Sequence, residues 1–222
     1  MTIAIISDVH GNVTALQAVL DQIGKLGISQ IYNLGDVAGY YPRVNECCTL
    51  LRKHNVVSIM GNHDWYLVSG SGCPRSKSAN ECIDYQRKII TKENLEWISN
   101  FKVMHKLDDL IMIHGGLNDP IDEYLKPSET YFAKNTFKYF VSGHTHKQLL
   151  KEYDGKVYCN PGSVGQPRDN DSRAAFAVFD GESFELHRVE YDIKPVCEDM
   201  QKAGFSEYYY KRLYKGSEHF HN

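Results

Sequence analysis

Five times before residue 147, this chain joins a short apolar run to a polar, glycine-containing loop that carries Asp, Asn or His. The runs cover residues 3–7, 30–34, 56–60, 110–114 and 139–142, and the loops read SDVHGN, GDVAGY, GNHD, HGG and GHTH. Runs this short and this apolar read as strands buried on both faces. Helical patterns separate the first three. Leu16, Val19, Leu20 and Ile23 share one face of a helix closed by Gly27, and residues 44–54 form a second helix. Such alternation puts the loop side chains at the carboxyl ends of strands, where open α/β sheets place their ligands.

The remainder is organised differently. Residues 65–101 are helix-rich and more polar, as in a cap or flank. From 147 to 191 strands follow one another at 157–160, 174–179 and 183–191, with turn signals at Asp154-Gly155 and Asp180-Gly181. Residues 193–222 read as a helical, aromatic tail. Its cluster Tyr208, Tyr209, Tyr210 and Tyr214 is either a docking face for a second subunit, giving a homo-oligomer, or core packing. With no linker or repeat in sight, one domain spanning residues 1–222 is expected.

Composition narrows the function classes. Hydrophobic residues make up 42% and charged residues 24%, ordinary for a globular domain. A formal net charge of −3 gives no footprint for nucleic acid or an acidic membrane, so neither is an expected partner. No run approaches the ~20 apolar residues of a membrane span. The segment MTIAIISDVHGN lacks the basic and apolar regions of a signal peptide, so the cytoplasm is the expected location. Cys47, Cys48, Cys73, Cys82, Cys159 and Cys197 form no C-x-x-C pair and read as reduced, buried thiols.

The loops deliver Asp8 and His10, Asp36, Asn62 and His63, His114, then His144 and His146. In extended backbone the i, i+2 spacing of Asp8/His10 and of His144/His146 would set both members on one side of the chain. Oxygen and imidazole donors in two convergent groups suit borderline divalent ions such as Mn, Fe and Zn. Each motif alone is weak, because D-x-H is common and a lone histidine is usually structural. Recurrence after five strand-like runs gives the set its weight. His54, His105 and His187 lie outside such loops and are left without a role, and His219 and His221 read as a solvated tail.

The ordered set D-x-H (Asp8, His10), G-D (Asp36), G-N-H-D (Asn62, His63, Asp64), H-G (His114) and G-H-T-H (His144, His146), extended by N-P-G-S at 160–163, resembles the calcineurin-like metallophosphoesterase superfamily. The resemblance implies an α+β fold, a four-layer αββα sandwich of two mainly mixed sheets packed face to face between helices. It implies two divalent metal ions per chain. One would take Asp8, His10, Asp36 and His146, and the other Asp36, Asn62, His114 and His144, with Asp36 shared. A bridging hydroxide between them would attack a phosphate ester in line. His63, adjacent to a ligand, would stabilise developing charge or protonate the leaving oxygen. Asp64 would accept the other ring N–H of His63, or else serve as a turn or helix cap.

GDVAGYYP and GNHD lack the arginine and glutamate of the protein serine/threonine phosphatases, and the chain looks more like compact prokaryotic phosphodiesterases and dinucleoside polyphosphatases. A small phosphorylated substrate, nucleotide-like and cleaved at a phosphodiester or phosphoanhydride bond, is the expected partner. Arg168 is a candidate to bind a second phosphate, or to pair with a nearby aspartate. Arg43 and Tyr40, with Tyr41, lie just beyond Asp36 as candidate pocket residues or ordinary packing. The alternatives are a non-catalytic metal-binding scaffold of the same fold, a phosphomonoesterase or protein phosphatase, and a nuclease.

Overall fold

The computed structural model describes residues 2–133 and 135–217. Two five-stranded sheets are built from ten strands. The first runs in the order β10 (Phe184–Val189), β9 (Ala174–Phe179), β1 (Ile3–Ile6), β2 (Ile31–Asn33) and β3 (Val57–Ser58). The second runs β4 (Met104–Leu107), β5 (Leu110–Ile113), β6 (Tyr139–Ser142), β8 (Lys156–Pro161) and β7 (Gln148–Tyr153). Both are mixed: β1–β2–β3 and β5–β6–β8 are parallel, and antiparallel strands occupy the flanks.

The period of two along each strand sorts its side chains between layers. Ile3 and Ile5 join Leu110, Met112, Tyr139, Val141, Ala177 and Phe179 in the core between the sheets. Their neighbours Ala4, Ile6, Ala174 and Phe176 face the helices over the first sheet. Ile111, Ile113, Phe140 and Tyr158 face outward from the second sheet onto Phe132 of α6 (Glu129–Phe132). Burial on both faces is why these runs are apolar throughout rather than alternating. The result is the expected four-layer αββα arrangement.

Helix α1 (Val13–Lys25) begins where the Asn12 side chain accepts the Ala15 amide at 3.0 Å, and it buries Leu16, Val19, Leu20 and Ile23. Helix α2 (Val44–Lys53) buries Val44, Cys47, Cys48 and Leu51, so the adjacent cysteines serve as small apolar core residues. All six thiols are free and buried. The segment expected to cap or flank the fold forms α3 (Asn62–Ser69), α4 (Lys77–Ile89) and α5 (Lys92–Ser99). Tyr66, Leu67, Ala79, Ile83 and Ile98 bury it against the first sheet's core, as a flank.

Strands β7 and β8 form a hairpin closed at Asp154 and Gly155, both at positive φ as the two-residue turn demands. Edge strand β4, MHKL, was not anticipated, because its alternating exposed residues blur an apolar run. The tail differs from the continuous helix expected. Only α7 (Lys194–Lys202) is α-helical, and two 3-10 turns, Glu207–Tyr209 and Lys211–Lys215, follow Gly204 at φ 86°. The tyrosine cluster divides, with Tyr210 buried and Tyr208 and Tyr214 exposed. His219 and His221 lie outside the described residues.

Candidate metal centre

Asp8 and His10 follow β1, Asp36 follows β2, and Asn62 and His63 open α3 just beyond β3. His114 follows β5, and His144 and His146 follow β6. Face-to-face packing brings the two sheets' loops together. Three overlapping groups of donors result, Asp8/His10/His146, His10/Asp36/His63 and Asp36/His114/His144, each with its ligand atoms within 4.8 Å of one another.

Asp36 Oδ2 stands between two of these groups. It lies 3.6 Å from His10 Nε2 on one side and 3.4 Å from His114 Nε2 on the other. On the first side, His146 Nε2 is 3.3 Å from Asp8 Oδ1 and 3.0 Å from His10 Nε2. On the second, Asn62 Oδ1 is 3.1 Å from both His114 Nε2 and His144 Nδ1. All seven residues are buried. Asp8 Oδ1 and Asp36 Oδ2 are buried yet accept no hydrogen bond. Orphaned anionic oxygens facing imidazole nitrogens are what a cation would satisfy, so these residues fit two ions sharing Asp36.

The outward nitrogens are fixed by backbone. His10, His114 and His146 donate Nδ1–H to the carbonyls of Ala38, Leu34 and Gln166 at 2.7–2.8 Å, which turns each Nε2 inward. His144 is turned the other way. Its Nδ1 points inward, and its Nε2 lies 3.6 Å from Asp122, a carboxylate on no motif and therefore invisible in the sequence.

The backbone of this centre is strained. Asp8, His10, Asp36, His144 and His146 all have φ between 52° and 64°, the left-handed region that costs such residues about 1 kcal/mol or more each. The i, i+2 pairs therefore converge through left-handed loops rather than the extended backbone expected. The loops brace one another. The amides of Asp8, His10 and Gly11 donate to the carbonyls of Gly35, Asp36 and Val37, and the Val164 and Gly165 amides of the NPGSVG loop donate to Ser7 and Asp8. Gly39, at φ 107°, lets its loop pass the centre: a Cβ there would sit 2.6 Å from the Nδ1 atoms of both His10 and His63.

Charge follows the geometry. Burial alone would raise Asp8 and Asp36, yet His146 beside the first and His114 beside the second hold both well below the usual carboxylate range. Burial opposes a charged His114, but the adjacent Asp36 carboxylate lifts it to about 10. Burial keeps His10, His144 and His146 neutral by lowering them, and pushes His63 down to about 4.

His63 is 5% exposed beside the donors, its ring 4.8 Å from that of His10 and 4.9 Å from that of Tyr40. Its Nδ1 is buried without a partner. The hydrogen bond expected from it to Asp64 is not formed. Asp64 instead accepts the amides of Asp36 (2.8 Å), Ala38 (2.9 Å) and Gly61 (3.2 Å), because at the third position of α3 its carboxylate turns back toward the loops. Arg43, expected in the pocket, is committed elsewhere, pairing with Asp199 (2.6 Å) and Glu46 (2.9 Å) at the start of α2. Tyr40 and Arg168 do border the donors: Arg168 donates to the Tyr40 hydroxyl at 2.9 Å, and the Tyr40 ring is 4.7 Å from that of His10. Tyr41 is buried, its hydroxyl accepting from Gln166.

The sequence profile of the calcineurin-like phosphoesterase superfamily domain matches residues 1–183. The chain belongs to that superfamily. Within it, an uncharacterised protein of Methanocaldococcus jannaschii is 36% identical, over 96% of this chain and 98% of that one. The crystal structure of a metallophosphoesterase from Sphaerobacter thermophilus shares 32% identity and a TM-score of 0.83, covering 97% of this chain and 100% of that one. The symmetrical bis(5'-nucleosyl)-tetraphosphatase of Vibrio campbellii is 25% identical over 53% of this chain and 46% of its own length. Among the described residues no helix is long and apolar enough to cross a membrane.

Proposed function

We propose that the chain is a dinuclear-metal phosphohydrolase that cleaves phosphodiester or phosphoanhydride bonds of small nucleotide-like substrates. The observation that carries this is the orphaned Asp36 Oδ2, set between two buried donor groups. Asp8, His10, Asp36 and His146 would hold one ion, and Asp36, Asn62, His114 and His144 the other. Mn, Fe or Zn suits such mixed oxygen and imidazole donors. When bound, two such ions supply Lewis acidity and an activated water for in-line attack.

The chain's own residues supply the rest. With burial lowering it to about 4, His63 is a neutral ring at pH 7. It suits donating an N–H to a phosphoryl oxygen as charge develops better than delivering a free proton. Arg168, fixed by Tyr40 and Gln166, is positioned for a second phosphate. The superfamily's relative in Vibrio campbellii, a tetraphosphatase by name, supports a nucleotide anhydride as the substrate class.

The test is a hydrolysis panel with Mn-loaded protein: a dinucleoside tetraphosphate, cyclic nucleotides, bis-p-nitrophenyl phosphate and a phosphopeptide. Turnover of the tetraphosphate or the diester, lost in Asp36→Asn, is expected. A protein that binds two ions yet cleaves none of them would be a scaffold, and the proposal would fall.

A further inference from the structure

The four histidines of the two donor groups are not held alike. His10, His114 and His146 each rest the outward ring nitrogen on a backbone carbonyl. Among the described residues, His144 has no such carbonyl. Its Nε2 is buried without a hydrogen-bond partner, and it faces Asp122 Oδ1 at 3.6 Å, just beyond hydrogen-bond distance. Buried polar atoms are rarely left in that state. The ring itself packs against the half-exposed ring of Tyr124, with centroids 4.1 Å apart.

Asp122 is firmly placed. Its Oδ2 accepts the Tyr66 hydroxyl at 2.9 Å, and its Oδ1 pairs with Arg75. Its own amide donates to the Asp119 carboxylate at 3.1 Å. The loop that carries it folds back on the residues after His114: the Gly115 amide donates to the Pro120 carbonyl at 2.8 Å, and the Gly116 amide to that of Asp119 at 3.0 Å. This close return requires glycine, because a Cβ on Gly115 would sit 2.7 Å from both the Asp119 carbonyl oxygen and the Glu123 amide nitrogen. Arg75 completes the cluster, 5.2 Å from the centroid of the Tyr124 ring.

Three elements meet at this one carboxylate. Tyr66 lies on α3, which opens with Asn62, Asp122 belongs to the loop that follows His114, and the group it faces is His144, after β6. Those are the three elements that bring Asn62, His114 and His144 to Asp36. The charge of Asp122 also bears on which nitrogen of His144 carries hydrogen. A carboxylate oxygen repels a lone pair at Nε2 and attracts an N–H there. Hydrogen at Nε2 leaves Nδ1 as an electron-pair donor beside Asn62 Oδ1, 3.1 Å away, where one cation would satisfy both atoms.

We propose that Asp122, held by Tyr66 and Arg75, is a positioning residue for the ion of the Asp36/Asn62/His114/His144 group. It orients His144 with Nδ1 toward Asn62, so the affinity of that group for metal depends on Asp122, while the Asp8/His10/His146 side, whose histidines are fixed by backbone carbonyls, is independent of it. This rests on the dinuclear reading above.

The experiment is calorimetric titration of metal-free protein with Mn²⁺, for the parent, Asp122→Ala, Asp122→Asn and Tyr66→Phe. Asp122→Ala should weaken one of the two ions about 10–100-fold and leave the other unchanged. Asp122→Asn keeps an acceptor oxygen and should recover part of the loss, and Tyr66→Phe should weaken the same ion less than Asp122→Ala does. Long-range ¹H–¹⁵N spectra of the metal-free protein should show His144 with its hydrogen on Nε2 in the parent and a mixture of tautomers in Asp122→Ala, a change that loss of packing alone would not produce. Unchanged affinities with an unchanged His144 spectrum overturn the proposal, and so does equal weakening of both ions. If the parent itself takes up fewer than two ions, the dinuclear reading fails, and the spectra still decide whether Asp122 orients His144.

Discussion

Asp64 accepts the backbone amide of Asp36 at 2.8 Å, so the carboxylate expected to steer His63 instead fixes the loop of the shared aspartate. It takes two more amides, from Ala38 and Gly61, all in the buried floor of the centre. Asp64→Ala leaves three buried donors unsatisfied and should cost about 3–5 kcal/mol, with Asp64→Asn milder because one acceptor oxygen remains. Urea unfolding of the metal-free protein measures this. A fully stable Asp64→Ala that loses only turnover would restore the His63-steering role.

His63→Ala should retain both ions and lose about 10²–10⁴-fold in kcat, with KM little changed, since the ring is assigned to the transition state rather than to ground-state binding. Metal analysis and steady-state kinetics on the same sample separate the two effects. Loss of an ion in this variant would make His63 a ligand.

Protons should leave as metal arrives. The ordinary value for histidine is near 6.5, but Asp36 lifts His114 to about 10 against the pull of burial. The metal-free fold therefore holds a proton there at pH 8 that the unfolded chain does not. Its stabilising contribution is full below about 6.5 and is lost as pH rises toward 10. His63 has the opposite sign: lowered to about 4, it stays neutral while the unfolded chain protonates, so stability falls as pH drops from about 6.5 to 4. Zinc added at pH 8 should release about one proton per chain from His114, read with an indicator dye, and His114→Asn should release correspondingly less.

Five of the six cysteines should be inert. Burial pushes Cys48 and Cys82 up to about 12 and also raises Cys47, Cys159 and Cys197, so at pH 8 these remain thiols rather than reactive thiolates. Ellman's reagent should label the folded protein far more slowly than the same protein in denaturant. Rapid labelling of Cys47 or Cys48 in the native state would show that the α2 face is not core.

Gly39→Ala places a methyl 2.6 Å from two imidazole nitrogens at φ 107°, where alanine is also strained. The variant should fold with a displaced His10 and lose metal from the Asp8/His146 side first. Unchanged metal content and rate would mean that the loop gives way freely.

The candidate donors were legible because each lies in a loop directly after an apolar run, and local order along the chain preserves that pattern. Arg43 shows the limit of such reading. Proximity to Asp36 in sequence suggested the pocket, but α2 carries its side chain to Asp199, 156 residues away. Asp122 was invisible for the converse reason, since it reaches His144 from a segment with no motif of its own.

By itself the sequence determined which runs are buried on both faces, that donors stand at their carboxyl ends, and that the donor types suit borderline divalent ions. These are local properties, written in period, composition and spacing. The tertiary structure decided which donors meet. Face-to-face packing of the sheets sets Asp36 Oδ2 between His10 and His114, interlocked loops hold five candidate donors in a left-handed backbone the chain would not adopt alone, and the C-terminal turn brings Arg212 to Tyr40. Each of these depends on contacts far apart in sequence, whose cost in chain entropy is offset only when the whole core forms.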